Sequence, residues 1–169
     1  VVSSFAFIAT DYPRPDRQDS AGLGRQSRAA LLYGNRVTSG RPMLTTHPFD
    51  DDKLREECGI FGVSGSDSAA ALVALGLHAL QHRGQEAAGI TSFDGEQFHT
   101  HRAMGHVAGN FDRDDVIRAL PGQVAAGHVR YSTTGEAVLR NVQPLYAELA
   151  SGGFAVAHNG NISNAQRLR

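Results

Sequence analysis

The stretch that decides the fold is residues 58–63, Cys-Gly-Ile-Phe-Gly-Val, which holds the only cysteine of the chain. Small residues here are interspersed with β-branched and aromatic ones, which predicts a buried strand over 58–64. A single thiol cannot form an intramolecular disulfide or a cysteine cluster for zinc. Cys58 is therefore either a small buried residue or a nucleophile.

The composition indicates one globular domain. The 169 residues are 41% hydrophobic and 20% charged, and the formal net charge is -1 at pH 7. This charge creates no global field that would attract nucleic acid, and no stretch approaches the ~18 apolar residues of a membrane span. We therefore expect no nucleic-acid or membrane partner. A single cysteine also fits a cytoplasmic location.

The chain changes character near residue 50. Residues 1–46 carry scattered Arg, Pro, Ser and Gly without a sustained hydrophobic period, so we expect them to be largely disordered. A transit peptide is an alternative, which the three Asp of this segment disfavour. Because the sequence begins with Val1, the true start stays open. We assign 1–57 to a leader or propeptide and 58–169 to the folded domain.

From Cys58 onward the periodicity predicts regular elements. A helix is expected from Ser68 to about His82, with Ser66 as its N-cap and Gly84 closing it. Further strands are predicted over 87–93, 97–102, 124–131 and 153–158, with a short helix over 112–120 and a last helix capped by Asn161 or Ser163. Hairpin strands with helices between the groups indicate the α+β class.

A reactive Cys58 would need help with its proton. The reference pKa of a thiol is ~8.5, so at neutral pH most of it is protonated. His128 or His158 are candidate bases, although the sequence places neither of them near the thiol. Alternatively, a cut before Cys58 would give it an α-amine with a pKa of ~7.7–8.0, which can accept the thiol proton.

Four further blocks give the stretch at Cys58 a context. They are Leu80-Gln81-His82-Arg83-Gly84-Gln85-Glu86-Ala87-Ala88-Gly89-Ile90, Gly127-His128-Val129-Arg130-Tyr131-Ser132-Thr133-Thr134-Gly135, Asn141-Val142-Gln143-Pro144 and His158-Asn159-Gly160-Asn161. The stretch at Cys58 resembles the mature start of class II glutamine amidotransferases. The order and spacing of the other blocks resemble the amidophosphoribosyltransferase family within that class.

The resemblance implies an N-terminal-nucleophile hydrolase fold, a four-layer αββα sandwich that would here be incomplete at its C-terminus. It also implies Cys58 as the nucleophile. The Asn159 side-chain amide and the Gly160 N–H would form the oxyanion hole. Arg130 would clamp the glutamine α-carboxylate, and Thr133 would support the same end of the ligand. Without the resemblance, Asn159-Gly160 predicts a tight turn and Arg130 a surface ion pair.

The same resemblance implies an activity. Glutamine would be hydrolysed to glutamate and ammonia, and ammonia would convert phosphoribosyl pyrophosphate to phosphoribosylamine, the first step of de novo purine synthesis. The second reaction belongs to a phosphoribosyltransferase domain, with its Mg²⁺, that is absent from 1–169. We therefore expect a truncated member that is inactive by itself, whose full-length relatives are homo-oligomers. The alternative is a non-catalytic, glutaminase-like binding or regulatory protein.

Two further motifs have plainer interpretations. His78 and His82 have the i, i+4 spacing of a helical zinc site, but no Cys or carboxylate follows at ligand spacing, so we expect no metal and no cofactor in this chain. The Arg83-Gly84-Gln85 segment lies at a helix-to-strand junction. We expect it to play a structural part beside the site.

Overall fold

The computed structural model describes the backbone of 2–9 and 30–37, and backbone and side chains of 58–131, 138–150, 152–160 and Arg167. The strands are β1 (Val2–Ala9), β2 (Ala30–Val37), β3 (Gly59–Ser64), β4 (Ala87–Phe93), β5 (Phe98–Met104), β6 (Val124–Arg130), β7 (Leu145–Leu149) and β8 (Gly152–Asn159). The helices are α1 (Ala69–Ala79), α2 (Asp114–Arg118) and two 3₁₀ turns, Gln81–Arg83 and Leu139–Asn141.

The strands form two antiparallel sheets of four strands, ordered β3-β6-β4-β5 and β2-β1-β8-β7. In the first sheet β6 is central, with Gly59 opposite Val129 on one side and Gly89 opposite His128 on the other. The second sheet lies against the first through β1 and β8. The α+β class predicted from the sequence is confirmed.

The two faces of the first sheet bury different sets of residues. One face packs against α1, where Val73 and Leu77 are fully buried. Gly127 of β6 lies under this helix, and a Cβ there would approach within 2.6 Å of Val73 and 2.7 Å of Leu77. The other face meets the second sheet through Ile60, Phe93, Val124, Ala126 and Ala157. The described residues thus form three layers, helix, sheet and sheet.

Most element predictions after Cys58 are confirmed, with shifted ends. The helix begins after Ser68 and ends at Ala79, followed by a 3₁₀ turn, rather than continuing to His82. Ser66 does not occupy the N-cap position; its hydroxyl accepts the Ser68 N–H. Gly84 is extended rather than left-handed, and it is close-packed because a Cβ there would lie 2.7 Å from the Arg130 backbone. Strand β7 was not predicted, and the helix predicted after Asn161 falls almost entirely outside the described residues.

The expectation of disorder over 1–46 is wrong for two segments, β1 and β2. They pair in register from Val2 opposite Val37 to Ala9 opposite Ala30. The valine, two phenylalanines and isoleucine of Val2–Ala9 favour strands. One side of β8 offers them backbone partners, from Ser4 opposite Asn159 to Ala9 opposite Phe154. A short apolar segment becomes a strand once such an edge is available.

Candidate functional site

Cys58 lies at the start of β3, at one end of the space between the sheets. The last pair of the β3–β6 ladder is Gly59 with Val129, so the next position sets Cys58 beside Arg130. The Tyr131 N–H donates to the Cys58 sulfur at 3.4 Å, and the Tyr131 carbonyl lies 3.5 Å from it. The sulfur is thus placed to accept a hydrogen bond from Tyr131 and to donate one to the same residue. Cys58 itself has a φ of 58°, in the left-handed region.

Arg83 holds the backbone of Cys58 on both sides. The Cys58 N–H donates to the Arg83 carbonyl at 2.9 Å, and the Arg83 Nε donates to the Cys58 carbonyl at 2.7 Å. Gln81 fixes this turn, since its amide nitrogen donates to the Gly84 carbonyl and its amide oxygen accepts the Val107 N–H. The structural part expected of Arg83 is confirmed, and it consists in positioning the cysteine.

Asn159 reaches Cys58 from the other sheet. It is the last residue of β8, and its Nδ2 donates to the Cys58 carbonyl at 3.2 Å, across 101 positions of sequence. Gly160 follows with a φ of 140°, a conformation that side chains rarely adopt. The structure therefore brings the Asn159 side chain to the cysteine, and a glycine is favoured at the next position, where the chain leaves the strand.

Arg130 ends β6 and is half-buried. Its Nη1 donates to the Asn141 carbonyl at 2.6 Å, so a backbone group holds one end of its guanidinium. Thr133, predicted to support the same end of a ligand, lies outside the described residues. Of the predicted site residues, the described part of the chain thus includes Cys58, Arg130, Asn159 and Gly160.

Two histidines lie near this end of the sheets. His128 is 1% exposed, and neither ring nitrogen has a hydrogen-bond partner among the described residues. Burial, with the nearby charges of His158 and Arg130, lowers the pKa of His128 to about 3. Burial also lowers the pKa of His158. In the β3–β6 ladder His128 is opposite Ile60, and its ring is not bonded to the Cys58 thiol.

Two backbone groups that contact the candidate site residues were not predicted from the sequence. The Tyr131 N–H contacts the Cys58 sulfur, and the Asn141 carbonyl accepts a bond from Arg130. A backbone group leaves no signature in residue identity, so only their positions beside the predicted residues could have suggested them. Gln143 belongs to one of the sequence motifs, and its side chain accepts the His158 N–H at 2.6 Å, a contact that the motif does not predict.

Neither a metal site nor a membrane span is found in the described part of the chain. No group of three or more His, Cys, Asp or Glu side chains there suits a metal ion. His78 belongs to α1, but His82 lies in the following 3₁₀ turn, where its Nδ1 is 3.1 Å from the Ala79 carbonyl. No described helix is both long and apolar enough to cross a bilayer.

Comparison with known proteins finds relatives that share one name. No family model matches the chain. The amidophosphoribosyltransferase of Rhizobium etli is 59% identical over 125 residues, 74% of this chain and 25% of that protein. The amidophosphoribosyltransferase of Lacticaseibacillus casei is 47% identical over 122 residues, 72% of this chain and 63% of that protein. The chain thus spans a quarter of one relative and less than two thirds of the other.

Solved structures agree. One, described as the allosteric regulatory enzyme of purine biosynthesis, is 43% identical with a TM-score of 0.59, covering 64% of this chain and 23% of its own. Another, the glutamine phosphoribosylpyrophosphate (PRPP) amidotransferase from B. subtilis, is 42% identical with a TM-score of 0.57 and the same coverage. Over about three quarters of its length the chain is therefore a homologue of the amidophosphoribosyltransferases, with their N-terminal-nucleophile hydrolase fold.

Proposed function

We propose that this chain carries the glutaminase half of an amidophosphoribosyltransferase, with Cys58 as its nucleophile. The observation that carries the proposal is the convergence on Cys58 of groups from both sheets. The Tyr131 N–H lies 3.4 Å from the sulfur, and the Asn159 amide lies 3.2 Å from the carbonyl of the same residue. A cysteine that serves only as packing needs no such set of polar partners.

The chemistry follows from what each group can do. The Arg130 guanidinium holds the glutamine α-carboxylate through two parallel hydrogen bonds. The Cys58 thiolate attacks the side-chain carboxamide carbon, and the negative charge that develops on the oxygen is stabilised by Asn159 Nδ2 and the Gly160 N–H. Ammonia leaves with the proton that came from the Cys58 thiol, and a γ-glutamyl thioester remains. Water then adds to the thioester and releases glutamate and the thiol.

The thiol proton goes to the α-amine of Cys58, which requires removal of residues 1–57. The nitrogen of Cys58 is held 2.9 Å from the Arg83 carbonyl, a bond that an amine can also donate. A terminal amine has a pKa of ~7.7–8.0, so a useful fraction accepts a proton at neutral pH. His128 is a poor alternative because its ring is not bonded to the thiol.

The ammonia has an acceptor in the longer relatives. The B. subtilis neighbour is named for both glutamine and phosphoribosylpyrophosphate. We extend this to the protein that carries the present sequence: ammonia displaces pyrophosphate and gives phosphoribosylamine, in a part of the protein beyond this sequence. Assembly into homo-oligomers and a cytoplasmic location belong to the same proposal.

The test uses the full chain encoded by the gene that carries this sequence. Intact mass and N-terminal sequencing should find Cys58 as the first residue of the purified protein. A diazoketone analogue of glutamine should label that residue once per chain, and glutamine hydrolysis should release glutamate and ammonia in equal amounts.

The matched control is Cys58→Ser, which should remain folded and lose both labelling and hydrolysis. Retention of Val1 together with no labelling of Cys58 would overturn the glutaminase and favour a binding or regulatory protein. Hydrolysis that survives in Cys58→Ser would assign the chemistry to another residue.

A further inference from the structure

A short segment ties the two sheets together beside the site. Residues 141–143, here called the strap, begin at the last residue of the 3₁₀ turn Leu139–Asn141 and precede β7. Val142 in the middle of the strap is fully buried. The strap therefore has a fixed place in the interior.

The strap is bound to the first sheet through its carbonyls. Arg130 Nη1 donates to the Asn141 carbonyl at 2.6 Å, and Arg102 Nη1 donates to the Val142 carbonyl at 3.3 Å. The Gln143 carbonyl lies against Gly89 of β4, where it occupies the space that a Cβ would need. The guanidinium that we assign to the ligand carboxylate is thus oriented by the strap.

The strap is bound to the second sheet through one side chain. The Gln143 Oε1 accepts the His158 N–H at 2.6 Å, and His158 immediately precedes Asn159 in β8. Only the oxygen of the amide can accept this bond, so the orientation of the side chain is set by chemistry. Gln143 is half-buried, which strengthens a hydrogen bond relative to one in water.

We propose that Gln143 is a positioning residue of the glutaminase site, whose side chain fixes the end of β8 and so aims Asn159 at the oxyanion. This inference rests on the proposed function. Donors of an oxyanion hole act when they lie about 2.7–3.1 Å from the developing charge, and a displacement of about 1 Å can cost about 100-fold in rate. Loss of the Gln143 acceptor removes one of the bonds that hold the residue next to that donor.

The experiment compares two variants in the full chain. Gln143→Met keeps the length of the side chain and removes the acceptor, whereas Gln143→Glu keeps an acceptor oxygen. The rate of glutamine hydrolysis is measured per site titrated with the diazoketone analogue. We expect kcat to fall about tenfold in Gln143→Met with KM changed less than about threefold, and Gln143→Glu to retain most of the rate. Gln97→Met, at an exposed glutamine, is the matched control.

If Gln143 has only a structural role, Gln143→Met lowers the amount of folded protein while kcat per titrated site stays unchanged. That result would overturn the proposal. An equal loss of kcat in Gln143→Met and Gln143→Glu would also overturn the proposal, because it would show that the acceptor oxygen does not affect the rate. A wild-type protein that neither hydrolyses glutamine nor reacts at Cys58 removes the proposed function and this inference with it.

A second measurement needs no variant to fold. Amide hydrogen exchange at His158 in the wild-type protein should be slowed by the bond to Gln143. Exchange at the rate of an exposed amide would overturn the proposal by itself.

Discussion

The two faces of the first sheet are held by different physics. On the outer face, α1 is fixed by apolar contact, with Val73, Leu77 and Val129 fully buried. At the site end of the inner face, Cys58 and Asn159 are fixed by hydrogen bonds between side chains and backbone over 25 to 101 positions of sequence. The outer face should therefore govern stability, and the site end should govern chemistry.

The largest loss of stability is expected in the core between α1 and the outer face of the first sheet. Leu77→Ala removes a side chain with 0% exposure, which should cost about 2–5 kcal/mol of unfolding free energy because a cavity remains. Leu75→Ala, on the same helix but 68% exposed, should cost less than about 0.5 kcal/mol. Chemical denaturation of both variants checks this, and similar losses would contradict the assignment of the two helix faces.

The site end is tested by Asn159→Ala. Losing one oxyanion donor should lower kcat for glutamine hydrolysis by about 100–1,000-fold, while the unfolding midpoint changes little. Steady-state kinetics and thermal unfolding on the same preparation separate the two quantities. A variant that loses stability in proportion to its activity would show that Asn159 only holds the sheets together.

Arg130→Lys tests ligand binding separately from the chemical step within the site. Lysine keeps the charge and loses the planar pair of donors, so KM for glutamine should rise about 10- to 100-fold, the worth of a hydrogen bond to a charged group. Arg118→Lys, at an exposed arginine of α2, should leave KM unchanged. An unchanged KM in Arg130→Lys would remove Arg130 from ligand binding.

The most gradual effect concerns His128, which lies between the sheets. Its pKa is lowered to about 3 in the folded protein and is ~6.5 when unfolded, so below pH 6.5 the unfolded chain binds a proton that the folded one does not. Stability should thus be lost as pH falls from about 6.5 towards 3, at up to about 1.4 kcal/mol per pH unit.

Denaturation curves at several pH values measure that slope. His128→Leu should flatten it, and His78→Gln, at an exposed histidine, should not. An identical slope in wild type and His128→Leu would assign the effect to other groups, with His158 next because burial also lowers its pKa.

The difference between the two faces of the first sheet also explains what the sequence could predict. The outer face follows from local periodicity, so α1, β4 and β6 were found within a few residues of their ends. The site end depends on contacts between distant residues, and Cys58, Arg130 and Asn159 came together only through the resemblance of several motifs. Strand β1 was missed because it forms against an edge of β8, which no local pattern in Val2–Ala9 describes.

The φ of 58° at Cys58 has a consequence for the proposed removal of residues 1–57. Among the described residues, Cys58 is the one non-glycine with a positive φ, a conformation that costs an ordinary residue roughly 1–2 kcal/mol. This torsion is defined by the carbonyl carbon of Glu57, so hydrolysis of the bond between Glu57 and Cys58 abolishes the torsion itself. Cleavage there would relax the backbone and expose the α-amine in a single step. The reverse reaction would have to restore the unfavourable torsion and consume the amine.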